Sequence, residues 1–150
     1  MSDLRDLFQA VILDHYKRPR NAGTLEHPTH QADGHNALCG DRIHLTATVQ
    51  GDTVTDIRHA TSGCAICSAS ASIMSELARG HTLPEIARMH DSFHDLATGK
   101  ITGADLPEAI DKLEVFSGVA NYPARVKCAT LPWHTLQAAL GQAAEPVSTE

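Results

Sequence analysis

The sequence predicts an α+β domain: a small antiparallel β-sheet with helices packed on one face. Three observations carry that reading. The chain opens with a helical apolar stripe, continues into two alternating segments joined by Gly51-Asp52, and then keeps helical periodicity almost to its end. Strands and helices segregated in this way build a sheet covered by helices, rather than the parallel sheet of alternating βαβ units. The chain of 150 residues is long enough for one such domain with a real core. We place a single domain over 1–140 and expect 141–150 to be a disordered tail.

Each element has its own signal. Leu4, Leu7, Phe8, Val11 and Ile12 recur at helical spacing, so a helix is expected from about Leu4 to Tyr16, with Ser2 or Asp3 able to cap it. Pro19 closes it, and Lys17, Arg18 and Arg20 sit where a helix C-terminus favours cations or where an acidic partner could dock. Thr24 to Leu38 reads as a loop with room for a short edge strand. Ile43, Leu45, Ala47 and Val49 alternate with polar residues, and Val54 to Ala60 returns as the second arm of a hairpin. Ser62-Gly63-Cys64 breaks that strand. A helix is expected over about Ala65 to Arg79, with Ile66, Ala69, Ile73, Met74 and Leu77 buried and Gly80 ending it. Its small run Ser68 to Ser72 lets another backbone approach. Thr82-Leu83-Pro84-Glu85 is a capping box for the next helix, which carries Ile86, Ala87, Phe93 and Leu96. Ile110, Leu113 and Phe116 suggest a short helix, Gly118 to Pro123 a turn, and Ala124 onward a last helix that Pro132 should kink or break.

Charge and flanks exclude some functions. A formal net charge of −6 disfavours nucleic-acid binding, which needs phosphate neutralisation. The N-terminus lacks the basic start and apolar run of a secretory signal, and no segment is apolar enough to cross a bilayer. The cytoplasm is therefore the expected compartment. Four cysteines in a reducing compartment mean metal or redox chemistry more often than disulfides.

Those cysteines lie at bends. Cys39-Gly40-Asp41 puts a thiol and a carboxylate on either side of a glycine, which tolerates the positive φ of a tight bend. Cys64 and Cys67 open a helix, whose dipole and free N–H groups should favour thiolates. Cys128 follows the Pro123 turn. A zinc site from three or four of Cys39, Asp41, Cys64, Cys67 and Cys128 is the favoured chemistry. Two other classes compete. Cys64-Ala65-Ile66-Cys67 has the form of a dithiol oxidoreductase motif, although a hairpin rather than a βαβ unit precedes it. His90 and His94 stand at i, i+4 as in a metallohydrolase helix, but with Asp91 where that motif has glutamate, and with His90 near an apolar face.

Several motifs together are more specific. Asn36-Ala37-Leu38-Cys39-Gly40-Asp41-Arg42, Gly63-Cys64 before a small-residue helix, Pro123 to Leu131 around Cys128, and Asp14 to Asn21 resemble the SufU branch of the IscU/NifU N-terminal family of iron–sulfur cluster assembly proteins. The resemblance runs from about Leu4 to Leu140 and implies a SufE/NifU-like fold. IscU-type members carry histidine just before the last cysteine, where this chain has Lys127, and have a shorter stretch between the second and third motifs. The resemblance implies a zinc-dependent sulfurtransferase that takes persulfide sulfur from a PLP-dependent cysteine desulfurase of the SufS type, with downstream Suf scaffold proteins as further partners. It implies Zn2+ held by Cys39, Asp41, Cys64 and Cys128, with Cys39 as sulfur acceptor and Arg125 as a functional residue. Arg42, Arg125 and Lys127 could offset the negative ligand charge. An iron–sulfur cluster carried by a scaffold is the alternative cofactor. Cys67 departs from the branch, which has a non-thiol there, and is a possible alternative ligand or a resolving thiol.

Overall fold

The computed structural model describes residues 2–142 and 146–149. Helix α1 (Ser2–Lys17) leads into strands β1 (His30–Asn36), β2 (Asp41–Gln50) and β3 (Thr53–Ser62). Helices α2 (Ala65–Ala78) and α3 (Leu83–Ala97) follow, then 3-10 segments at Gly103–Asp105 and Glu108–Asn121, helix α4 (Pro123–Leu140) and strand β4 (Val147–Ser148). The sheet has the order β3-β2-β1-β4. The first three strands are antiparallel, and β4 pairs parallel to β1 through Gly34 and His35. Of the segment expected to be a tail, Val147–Ser148 thus adds an edge to the sheet, while 143–145 and 150 lie outside the described residues.

Alternation along the strands buries one face. Ala32, Ile43, Leu45, Ala47 and Ile57 point inward, and α2 and α4 cover them with Ala69, Ile73, Leu131 and Leu136. Burying the isoleucine and leucine side chains among them stabilises by about 1.5–3 kcal/mol each. Helix α4 lies close on β1: a Cβ on Gly34 would strike Thr135 and come within 3.1 Å of Leu131. On α2, Ser70, Ser72 and Ser75 are fully buried, so the small run admits its neighbours as expected. The Ser70 hydroxyl donates to the Ala129 carbonyl of α4 at 2.6 Å. The capping box is also present, with Glu85 N–H donating to Thr82 Oγ1 at 3.2 Å and Thr82 N–H to Glu85 Oε1 at 2.8 Å.

Four expectations need correction. The edge strand β1 is a full seven-residue partner of β2, because β2 begins at Asp41 rather than Ile43. The stretch from Gly118 is not a turn: 3-10 backbone continues to Asn121 and only Tyr122 separates it from α4. Pro132 does not break α4. It removes the N–H that would reach the Cys128 carbonyl, yet Leu131, Pro132, Trp133 and Leu136 are all buried, and their packing holds the helix as one element. On α1, Leu4 and Leu7 remain half-exposed or more, and only Val11 and Ile12 of the stripe pack on the core.

Candidate metal centre

The register of the sheet builds the site. Asn36 pairs with Asp41, so residues 37–40 form a tight hairpin loop with Cys39 at its tip. Gly40 takes φ +69°, the bend the sequence anticipated. Arg42 pairs with Ser62, which brings the end of β3 beside the start of β2. Gly63, at φ +128°, then turns the chain against Asp41, and any Cβ there would collide with the Asp41 side chain and lie 2.7 Å from its Cα. Cys64 follows as the N-cap of α2, and Cys128 enters from the second turn of α4.

Ligand atoms of Cys39, Asp41 and Cys128 all lie within 4.8 Å of one another. Cys64 adjoins them: its N–H donates to Asp41 Oδ1 at 2.9 Å, and its sulfur accepts from the Cys67 N–H at 3.4 Å. Asp41 is 1% exposed, and its second oxygen, Oδ2, is buried without a hydrogen-bond partner. A buried carboxylate oxygen left unpaired is costly, and a cation is the partner that removes the cost. Two thiols beside it, with a third at the margin, form a donor set that suits zinc in tetrahedral coordination. The residues present therefore fit the ion. Cys67 is not among the converging atoms; it is fully buried in the core at the border of the centre, where Asp41, Cys64 and Cys39 act on it.

Burial decides the protonation of the thiols. The Cys64 thiol is raised, first by burial, against the lowering effect of the Cys67 N–H. Cys67 is raised by burial and then by the Asp41 carboxylate. Cys128 is raised by burial and then by Asp41 and Cys39. The helix N-terminus was expected to favour thiolates at Cys64 and Cys67; loss of solvent outweighs it. Such thiols deprotonate when a dication takes the proton's place, so ligand binding and proton release are one event.

Of the cations expected to offset this charge, Arg42 and Arg125 are exposed and Lys127 is half-buried. Arg18 and Arg20 pair instead with Asp14, at 3.2 and 2.7 Å. Two residues that the sequence placed only in motifs and bends prove to position the ligands. Asn36 is fully buried and its amide nitrogen lies 3.8 Å from Cys128 Sγ. Gly63 permits the contact that seats Asp41. Their only signal was adjacency to Cys39 and Cys64. His90 and His94 are remote from this centre in the fold, and His134 joins them from α4.

Comparison with known proteins agrees with this geometry. The family described as NifU-like N terminal domain matches residues 7–97. The chain belongs to that family. Within the NifU-like family it is 40% identical to the zinc-dependent sulfurtransferase SufU of Bacillus subtilis (strain 168), over 91% of this chain and 90% of that protein. It is 35% identical to the iron–sulfur cluster assembly scaffold protein IscU of Streptococcus pyogenes serotype M1, over 96% of this chain and 89% of that one. A solved structure from Fervidobacterium islandicum AW-1, described as a candidate iron–sulfur cluster assembly scaffold protein for the SUF system, superposes with a TM-score of 0.80 at 34% identity, covering 87% of this chain and 93% of its own. The chain is thus a SufU-type member of the iron–sulfur cluster assembly family. Among the described residues, no helix is long and apolar enough to cross a membrane.

Proposed function

We propose that this protein is a zinc-dependent sulfur acceptor that takes persulfide sulfur from a cysteine desulfurase of the SufS type and hands it to downstream Suf scaffold proteins in the cytoplasm. The observation that carries the reading is the Asp41 carboxylate, which has an unpaired buried oxygen and converges with the thiols of Cys39 and Cys128. Cys39, Asp41, Cys64 and Cys128 would hold Zn2+, which supplies a thiolate that is deprotonated at neutral pH yet shielded until the partner arrives.

Cys39 is suited to accept sulfur because it sits at the tip of a hairpin loop, half-buried beside the 74% exposed Leu38. Its thiolate attacks the outer sulfur of the desulfurase persulfide. A new S–S bond forms on Cys39, the old S–S bond breaks, and the desulfurase cysteine leaves as its thiolate, with no net oxidation. Asp41 holds the site's shape, and Cys64 and Cys128 stay in place. Arg125 is exposed on the first turn of α4 and lines a groove of about 540 Å3 with Leu4, Phe8, Ile12, Ile66 and Tyr122. That groove and its cation form the face we assign to the desulfurase.

The test combines metal analysis with cysteine-dependent sulfide release in the presence of the desulfurase. Wild type should be colourless, carry about one zinc, and stimulate sulfide release. Cys39→Ala should keep some zinc and lose the stimulation. Stimulation equal to wild type would reject the mechanism, and brown iron–sulfur absorbance in the protein as purified would favour the scaffold reading.

A further inference from the structure

A second constellation lies away from the cysteines. His90 and His94 stand one turn apart on α3, and His134 faces them from α4. Ring centroids are 4.9 Å apart for His90 and His134, 5.9 Å for His94 and His134, and 6.3 Å for His90 and His94. His90 Nε2 and His134 Nδ1 approach to 3.0 Å. Three imidazoles on one tetrahedral ion, at metal–nitrogen bonds of about 2.0–2.1 Å, place donor nitrogens roughly 3.3 Å apart and ring centroids roughly 5 Å apart. The His90–His134 pair already has that spacing, whereas the His94 centroid stands 6.3 and 5.9 Å away and its ring must turn toward the pair to complete the set.

The outer groups are arranged to match. Asp91 Oδ1 lies 3.2 Å from His90 Nδ1, so the carboxylate holds the ring proton there and leaves the Nε2 lone pair directed at His134. When an ion enters, His134 carries its proton on Nε2 and turns its Nδ1 lone pair to the metal. Both nitrogens that now share a hydrogen bond become ligands, and no proton need leave the ring system. A cleft of about 530 Å3, lined by His94, His134, Thr130 and Lys127, opens beside the cluster and leaves room for water or another small ligand at a fourth position.

We infer that His90, His94 and His134 form a second metal site, for a divalent borderline transition metal such as Zn2+ or Co2+, distinct from the cysteine centre. Imidazole-only ligation suits these ions, and three neutral ligands bind more weakly and exchange faster than a thiolate set. The two sites share α4, with Cys128 and His134 six residues apart. The inference stands whether or not the protein is a sulfurtransferase.

The test is a Co2+ titration of the full chain after saturation with one equivalent of Zn2+. A second equivalent should bind, with visible d–d bands and no thiolate-to-cobalt charge-transfer band. His94→Gln and His134→Gln should each weaken that binding ten-fold or more and leave the first equivalent in place. Failure of a second equivalent to bind would overturn the proposal, as would binding unchanged in both variants, or charge-transfer absorbance accompanying it. If His134→Gln does not fold, His94→Gln decides, since His94 is only half-buried. If the cysteines take no zinc, cobalt fills both sites and the imidazole-only bands must still vanish in the variants.

Discussion

Helix α2 and the end of the sheet at Asp41 both bury polar groups, and they are finished differently. On α2, every buried serine beyond Ser68 has its partners. Ser70 bonds α4, Ser72 Oγ shares a hydrogen bond with His15 Nδ1 at 2.7 Å and accepts from the Arg20 N–H at 2.8 Å, and Ser75 bonds Asn21 at 3.0 Å. At the end of the sheet, Asp41 Oδ2 and Asn36 Oδ1 are as deeply buried and have none. The same fold that satisfies the serines of α2 leaves the carboxylate beside Cys39 and Cys128 open. Satisfied polar groups fix the register of helices; an open one among thiols marks the place of something that binds.

The strongest way to break this contrast is Cys128→Ala. It should cost the metal and several kcal/mol of stability, because the energy of metal binding is energy of folding. Metal stoichiometry and thermal unfolding measure both, and a variant that keeps one equivalent and its melting temperature would place the ion elsewhere. Asp41→Asn sharpens the contrast. The amide keeps the acceptor for Cys64 N–H and removes the stranded charge, so metal affinity should fall ten-fold or more while the metal-free form melts no lower than wild type. A metal-free form that melts much lower would mean that Asp41 is structural.

The smallest effect belongs to α2. Ser72→Ala leaves the His15 ring and the Arg20 N–H unpaired, at a cost of about 1–3 kcal/mol, with metal content unchanged. The same contact predicts acid sensitivity. Burial, then the charges of Lys112 and Arg20, hold His15 down to about 4, against Glu76 and Asp14. His134 is also held at about 4, by burial and by His90 and His94. The unfolded chain binds these protons first, so stability should be flat above about pH 6.5 and fall as pH drops from there toward 4. Denaturant midpoints between pH 7.5 and 4.5 measure the slope, and no slope would mean that His15 is not confined to its neutral form.

Much of this was legible in the sequence where side chains repeat. The β2–β3 hairpin, the capping box of α3 and the bends at Gly40 and Gly63 are written in alternation and in residue type. Strand β1 was only half visible, because His30–Asn36 has Ala32 as its one apolar inward residue, and Gly34 and Asn36 fill the other buried positions. Helix α4 defeated a local rule, since tertiary packing of Trp133 and Leu136 overrides the proline. The site was readable as a set of ligands at bends and, by resemblance, as a zinc centre. Its convergence was not, because the Arg42–Ser62 register that brings the ends of β2 and β3 together, and the packing of α4 that brings in Cys128, are long-range facts. His134 beside His90 is hidden for the same reason.

Pro132 carries one consequence further. Its missing N–H leaves the Cys128 carbonyl without its helical donor, and Thr130 and Thr135 on either side turn their hydroxyls back onto the carbonyls of Val126 and Leu131, both at 2.8 Å. The first two turns of α4 are therefore joined to the remainder with one helical hydrogen bond fewer, and hydroxyls share the carbonyls on either side of the gap. The place of the Cys128 sulfur is therefore set from the side, by its burial and by the Ser70 hydroxyl on the adjoining Ala129 carbonyl, so α2 locates this ligand as much as its own helix does.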